Sequence, residues 1–425
     1  MAAVPGADDL DDGFAAALVG GDAARVADRI RHDPAAAARP DPGTGWTPLH
    51  AVCSSRWHHL DPSRKAGLAE TARLLLDAGA DPNARIGQSG RTPLGCATAT
   101  ASSVPGNDAV IELLLDRGAV VTDDDLYLAA FSRDDGRRCL RLLLSRAPDV
   151  AAAARLALSA PLSTGDTAAV RLLLDGGVDP RRYTDNDPDR EMSAVYAAVG
   201  YGCPAELIAL LVEHGADPER PGPDGHSPAW LAAVRGRDDL AAILGGDGDH
   251  PAGGVTGAAR LVAACQRGDR AAATALVAAD PGLIGRLGDG EQAGLVYAAE
   301  AGDETAVALM LDLGFPAGAR RDDDGATALH AAAYAGSAPV VRLLLDRGAD
   351  PRARDARYDG TALGWAAVGS GHRPATSPHP DWTATVRLLL EAGSPAADVS
   401  LAPDGPKPPS AEVTELLRSY GAGTA

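Results

Sequence analysis

The sequence predicts an all-α repeat solenoid made of stacked helix–turn–helix units, and three observations support this. Segments that start at Ala259, Ala293, Thr327 and Thr361 recur every 34 residues, and so regular a spacing marks a structural repeat. Alanine and leucine dominate the 45% of residues that are hydrophobic, while only 4% are aromatic, which suits thin helical layers better than one thick core. Glycines recur at regular intervals between these segments, as turns between repeats require.

The clearest copy of the repeat starts at Asp324. It continues as Gly-Ala-Thr-Ala-Leu-His-Ala-Ala-Ala, then passes through Gly336 and the leucines Leu343 to Leu345 to Gly-Ala-Asp-Pro at 348–351. This pattern closely resembles the ankyrin repeat, a turn and two antiparallel helices with a Thr-Pro-Leu-His-x-Ala signature. The resemblance implies stacked ankyrin repeats of the bacterial, multi-repeat type, with short β-hairpin fingers between them and with protein–protein interaction as their function.

Other copies follow the same pattern. Thr47, Thr92 and Thr361 open clear copies, and weaker ones start near Leu126, Leu156, Ser193, Ser227, Ala259 and Ala293. The Thr47 hydroxyl is expected to cap the first helix of its repeat, and Pro48 suits the first helical turn, where a missing N–H costs nothing. His50 is expected to tie its own turn to the next repeat.

A chain of 425 residues exceeds what one hydrophobic core usually organises. We predict an N-terminal stack over residues 1–248, which includes a capping repeat at Phe14 to Asp33. A Gly/Pro-rich linker or loop follows over 249–256. A second stack covers 257–425 and ends in a capping helix at Ala411 to Tyr420. The two stacks either dock end to end or stay separate.

Charge and composition exclude several classes of partner. The formal net charge is −19, so the protein should repel phosphate backbones and anionic membrane surfaces. No apolar stretch approaches the length of a membrane span, and the aspartates of the first 13 residues do not fit a secretion signal. The five cysteines lack paired spacing, as expected of reduced thiols. We expect a cytoplasmic monomer that binds a protein, not a nucleic acid or a membrane.

Three aromatic residues follow the repeat starts on the first helices: Tyr297, Tyr334 and Trp365. In the ankyrin fold these positions tend to face the concave groove. Together with Arg354, Arg357 and Tyr358 on the adjoining finger, they form the predicted partner-binding surface, because aromatic and arginine side chains often dominate interface energy. The arginines favour an acidic segment on the partner. The alternatives stay open: the aromatics pack between helices, and the arginines are solvated finger residues.

Two repeats carry insertions between their helices, and both insertions hold tryptophan and histidine. The residues are Trp57, His58, His59, His372, His379 and Trp382. Long loops often carry function, so these are secondary candidate sites and the basis of the alternative function, an enzyme or regulatory subunit. His50, Cys53, His58 and His59 lack the paired spacing of zinc ligands, and no catalytic motif is found. We therefore predict no metal, no cofactor and no catalytic residue.

Overall fold

The computed structural model describes residues 12–56, 61, 63–87, 90–101, 108–131, 137–184, 192–223, 225–245, 256–321, 324–372, 380–401 and 408–422. Within these residues the regular structure is helical. Isolated antiparallel bridges join Ile86 to Arg91, Arg320 to Thr327 and Arg354 to Thr361. The chain forms two compact units, Met1–Gly225 and His226–Ala425. The predicted all-α repeat solenoid is confirmed.

The described helices of the first unit mostly come in antiparallel pairs. They are α1 Asp12–Gly20, α2 Ala23–His32, α3 Pro48–Cys53, α4 Arg64–Asp77, α5 Pro93–Ala101, α6 Asp108–Asp116, α7 Asp123–Ala130, α8 Arg137–Arg146, α9 Pro148–Ala153, α10 Ser159–Thr164, α11 Thr167–Asp175, α12 Ala194–Gly200 and α13 Ala205–Glu213. Helices α1 and α2 cover the segment predicted to be the N-terminal capping repeat, and Phe14 and Val26 are buried there. Its capping role stays a prediction.

The second unit repeats the same arrangement. Its described helices are α14 Pro228–Val234, α15 Gly257–Gln266, α16 Arg270–Ala279, α17 Asp289–Gln292, α18 Gly294–Ala301, α19 Glu304–Leu313, α20 Ala328–Ala335, α21 Ala338–Asp346, α22 Ala362–His372, α23 Trp382–Glu391 and α24 Ala411–Ser419. Helix α24 coincides with the predicted final helix. It packs on α22 and α23 through the buried Val413 and Leu417.

His50, the histidine of the repeat signature, links its repeat to the next. The Thr47 hydroxyl lies 2.8 Å from His50 Nδ1, and His50 Nε2 lies 3.2 Å from the carbonyl oxygen of Arg91. The link that we expected His50 to form is therefore present. The expected cap is wrong, because the Thr47 hydroxyl makes no hydrogen bond to the helix backbone. The hydroxyl is instead bonded to the imidazole.

The repeat that opens at Ser227 belongs to the second unit. Its helix α14 packs against α15, and Trp230 Nε1 donates a hydrogen bond to Glu291 at 3.2 Å. The division of the chain thus lies just before this repeat, at Gly225 and His226. Residues 246–255, which hold most of the predicted linker, lie outside the described residues. The separation of two stacks at 249–256 stays a prediction.

Candidate functional site

Trp365, on the first turn of α22, is the centre of an aromatic cluster. Its indole ring makes edge-on contacts with Tyr334 of α20 at 5.7 Å between ring centroids and with Tyr358 of the preceding finger at 6.5 Å. Such tilted geometry places the positive edge of one ring against the electron-rich face of another. Of the three rings, Tyr358 is 67% exposed, while Tyr334 and Trp365 are half-buried. Three of the predicted partner-binding residues therefore lie together.

The Asp355 carboxylate fixes the position of the aromatic cluster through hydrogen bonds. Its Oδ2 accepts the indole N–H of Trp365 at 3.0 Å and the backbone N–H of Gly360 at 2.9 Å. Its Oδ1 accepts the backbone N–H groups of Arg357 at 2.9 Å and Tyr358 at 2.6 Å. Burial raises the pKa of the Asp355 carboxyl, but these hydrogen bonds outweigh burial and hold the pKa below its usual range. The ionised carboxylate thus fixes both the finger and the indole.

A cavity of about 630 Å³ opens beside the aromatic cluster. One part of its lining is the cluster itself, and another part comes from the chain after α23, at Asp398 to Ser400 and Pro408 to Pro409. Gly364 also lines the cavity, and no atom lies within 4 Å of the position that a Cβ would take there. We call this cavity the aromatic groove. A concave, mainly apolar site with a few polar groups is typical of a binding site.

The predicted arginines occupy different environments. Arg354 donates from Nη1 to the carbonyl oxygen of Asp359 at 2.6 Å and forms an ion pair through Nη2 with Asp398. Arg357 is exposed, and its guanidinium carbon lies 5.5 Å from the centroid of the Tyr358 ring. Arg354 therefore helps to build the finger and the groove wall, while Arg357 extends over the outer ring of the cluster.

Two parts of the chain match known sequence families. A model of ankyrin repeats in three copies matches residues 261–355, and a model of the single ankyrin repeat matches residues 44–86. The chain contains ankyrin repeats. Ankyrin repeats are generally protein–protein interaction modules, and proteins built from them are typically non-catalytic scaffolds. No curated protein matches the chain at a significant level.

Tyr297 does not belong to the aromatic groove, since it lies two repeats before Trp365. Positions 297, 331 and 365 are equivalent in three consecutive repeats, so the small Ala331 stands between Tyr297 and Trp365. Tyr297 is not part of the groove lining. The Arg235 guanidinium lies 4.1 Å from its ring centroid. Tyr297 therefore makes a cation–π contact with Arg235 within the second unit. Its role in partner binding stays a prediction.

Only some of the inserted-loop residues are described. Trp57, His58, His59 and His379 lie outside the described residues. His372 is the exposed last residue of α22. Trp382 is the first residue of α23, where its Nε1 donates to the carbonyl oxygen of Tyr334 at 3.1 Å. Trp382 thus joins two ankyrin repeats, and its indole supports the helix that carries Tyr334.

Some groove residues were missed by the sequence argument, although a signal for one was present. Gly364 occupies the ankyrin position that His330 fills one repeat earlier. The glycine leaves open space beside the groove, since no atom lies within 4 Å of the position that a Cβ would take. Asp355, Asp398 and the two prolines carried no periodic signal. Among the described residues, no group of three or more His, Cys, Asp or Glu side chains could hold a metal ion, and no helix is long and apolar enough to cross a membrane.

Proposed function

We propose that this ankyrin-repeat chain is a non-catalytic scaffold that binds a protein partner in the aromatic groove. The observation that carries the proposal is the meeting of Tyr334, Tyr358 and Trp365 in one 630 Å³ cavity, in a chain with only 4% aromatic residues. Tyrosine and tryptophan dominate the energy of many protein interfaces, and they do so where they line a pocket that the partner fills.

The groove is organised before any partner arrives. Trp365 is fixed by its hydrogen bond to Asp355, and the backbone of Tyr334 is fixed by the hydrogen bond from Trp382. The finger is held as well, because Ala356 N–H donates to the carbonyl oxygen of Asp324 at 2.8 Å. A site whose side chains are already ordered loses less conformational entropy on binding. This rigidity supports recognition by the groove in its present shape.

Charge at the groove changes the expected partner. The acidic partner segment was expected because of Arg354 and Arg357, but the Arg354 guanidinium already pairs with Asp398 and bonds to Asp359. An arginine engaged by its own chain adds little attraction for an acidic partner. We therefore do not propose an acidic partner segment on the basis of Arg354, and the chemistry of the partner is argued separately below.

The test is affinity capture with purified wild-type protein and the double variant Tyr334→Ala/Trp365→Ala. We expect the double variant to lose at least one partner, with affinity reduced roughly 30-fold or more, as for removal of an interface anchor. The matched control is Tyr201→Ala/Tyr420→Ala, which removes two tyrosines that are each about half exposed, at 46% and 47%. Circular dichroism must show all three proteins folded. Equal capture by wild type and double variant would contradict the proposal.

An enzyme or regulatory subunit with a site in the inserted loops is the other hypothesis. It requires His58, His59, His372 or His379 to meet an acidic residue in a cleft. Three of these residues lie outside the described part of the chain, so this hypothesis stays a prediction. The expectations of a monomer and of a bacterial-type protein likewise stay predictions.

A further inference from the structure

The charged side chains that line the aromatic groove are carboxylates. Among the described lining residues, Asp324 and Asp398 carry charge, and both are acidic. Their partners Arg321 and Arg354 lie outside the lining. Both carboxylates are already ion-paired within the chain and add little attraction for a ligand. A positive group in the groove is therefore favoured by the aromatic rings and by Asp355.

Asp355 places a negative charge beside Trp365, with its Oδ2 3.0 Å from the indole nitrogen. The hydrogen bonds that stabilise its carboxylate come from three backbone N–H groups and one indole N–H, all of which are neutral donors. Hydrogen bonds from neutral groups leave the full charge in place. Because the site is partly buried, that charge acts on a nearby cation more strongly than it would in water.

The indole of Trp365 is suited to hold a cation. Tryptophan gives the strongest cation–π attraction of the aromatic side chains, within about 6 Å of the ring. Donation of its N–H to an ionised carboxylate polarises the indole further, which makes the ring face more negative. Tyr334 places a further ring beside the same space. Tyr358 places another, although the Arg357 guanidinium already lies 5.5 Å from its centroid.

We infer that the aromatic groove binds a side-chain cation, the ammonium of a lysine or the guanidinium of an arginine, on the partner protein. This inference rests on the proposed function, since it specifies the partner for the same groove. The net charge of −19 acts in the same direction, because the field of the whole protein attracts basic segments and speeds their association.

A random dodecapeptide display library provides the probe. Peptides are selected on the wild-type protein, and those that also bind Tyr334→Ala/Trp365→Ala are removed. We expect the remaining peptides to share a lysine or arginine. Replacement of that residue by norleucine, which keeps the aliphatic chain and removes the charge, should weaken binding roughly 5- to 30-fold. Replacement by glutamate should abolish binding, and raising sodium chloride from about 50 to 500 mM should weaken the basic peptide more than the norleucine peptide.

Two variants separate cation–π attraction from simple apolar contact. Trp365→Leu keeps an apolar side chain and removes the ring. Tyr358→Leu does the same at a position that is 67% exposed, where a folding defect is not expected. Each variant should bind the basic peptide several-fold more weakly than the wild type does, and its affinity for the norleucine peptide should be nearly unchanged. If the shared residue is apolar or acidic, or if the lysine and norleucine peptides bind equally well, the inference of a bound cation is wrong. The groove then remains a binding site. If no selected peptide requires Tyr334 and Trp365 for binding, the inference of a bound cation is also wrong. The affinity capture of a protein partner then tests the proposed function separately.

Discussion

His330 Nε2 lies 3.1 Å from the carbonyl oxygen of Gly360, in the turn before the next repeat. A carbonyl only accepts, so Nε2 carries the proton, and Nδ1 accepts from the Thr327 hydroxyl at 2.8 Å. Burial lowers the pKa of His330, although the hydrogen bond to Gly360 acts in the opposite direction. The histidine that links these repeats is therefore neutral in the folded protein, and the same bonding pattern holds at His50.

We predict that stability falls as the pH drops from 7.5 to 5.5. The unfolded chain has histidines with a pKa of about 6.5, and the folded chain binds these two protons less readily. The unfolded state therefore takes up more protons as the pH falls, so the stabilisation is complete above the unfolded pKa and is lost toward the folded pKa. Thermal unfolding followed at pH 7.5, 6.5 and 5.5 measures this change.

The matched variants are His330→Gln and His372→Gln. His330→Gln should lower the melting temperature at pH 7.5 and reduce its dependence on pH, because the buried group that resists protonation is gone. His372 is exposed, so His372→Gln should change neither. A pH dependence that is identical in wild type and His330→Gln would show that this histidine does not control it.

A second prediction concerns the final helix. Leu417 is fully buried where α24 packs on the last repeat, so Leu417→Ala should cost about 2–4 kcal/mol of unfolding free energy. The exposed Glu415→Ala on the same helix is the control and should change stability by less than about 0.5 kcal/mol. Urea unfolding gives both values. Deletion from Ala411 onward should destabilise further, and unchanged stability of that truncation would contradict the capping role of α24.

A third prediction locates the start of the second unit. Trp230 and Glu291 are buried together, and Gln266 Nε2 donates to the carbonyl oxygen of Val234 at 2.9 Å. A fragment that starts at residue 255 lacks Trp230 and Val234, which leaves Glu291 and Gln266 without these partners. Fragment 226–425 should therefore melt roughly 5–10 °C above fragment 255–425. Equal melting temperatures would support a boundary in the 249–256 segment.

The sequence could predict the repeats because local signals repeat with them. Thr327, His330 and the buried alanines of α20 stand at fixed positions of one period, so a single copy defines the others. Ser193 and Ser227 show how a weak copy is still recognised: each hydroxyl caps its helix by accepting an N–H, from Tyr196 at 2.9 Å and Trp230 at 3.2 Å, as a threonine or serine cap does.

Only part of the groove lining could be predicted, because only the aromatic residues of α20 and α22 follow the period of the repeats. Tyr334 and Trp365 follow from the repeat register, and Tyr358 follows from its finger. The other part of the lining, which includes Asp398 and Pro408, depends on how the chain folds back after α23, which no repeat pattern encodes. Asp355 was missed because its role is a set of hydrogen bonds to a finger whose shape appears only in three dimensions.

A fourth prediction uses two glycines to measure the Trp382 contact. Gly336 and Gly348 both have positive φ, at 70° and 84°, so alanine is strained at each position by about 1 kcal/mol. At Gly348 no atom lies within 4 Å of an added Cβ, whereas at Gly336 the Trp382 ring lies at 2.8 Å. Gly336→Ala must therefore also displace the indole and weaken its hydrogen bond to Tyr334.

We expect Gly336→Ala to cost about 1–2 kcal/mol more than Gly348→Ala in urea unfolding. A double-mutant cycle with Trp382→Ala checks the cause, since the extra cost should vanish when the ring is absent. Because Trp382 supports the helix that carries Tyr334, Gly336→Ala should also weaken any groove-dependent peptide, while Gly348→Ala should bind it as wild type does. Equal costs for the two glycine variants would mean that the indole yields freely, and that Trp382 does not fix the position of Tyr334.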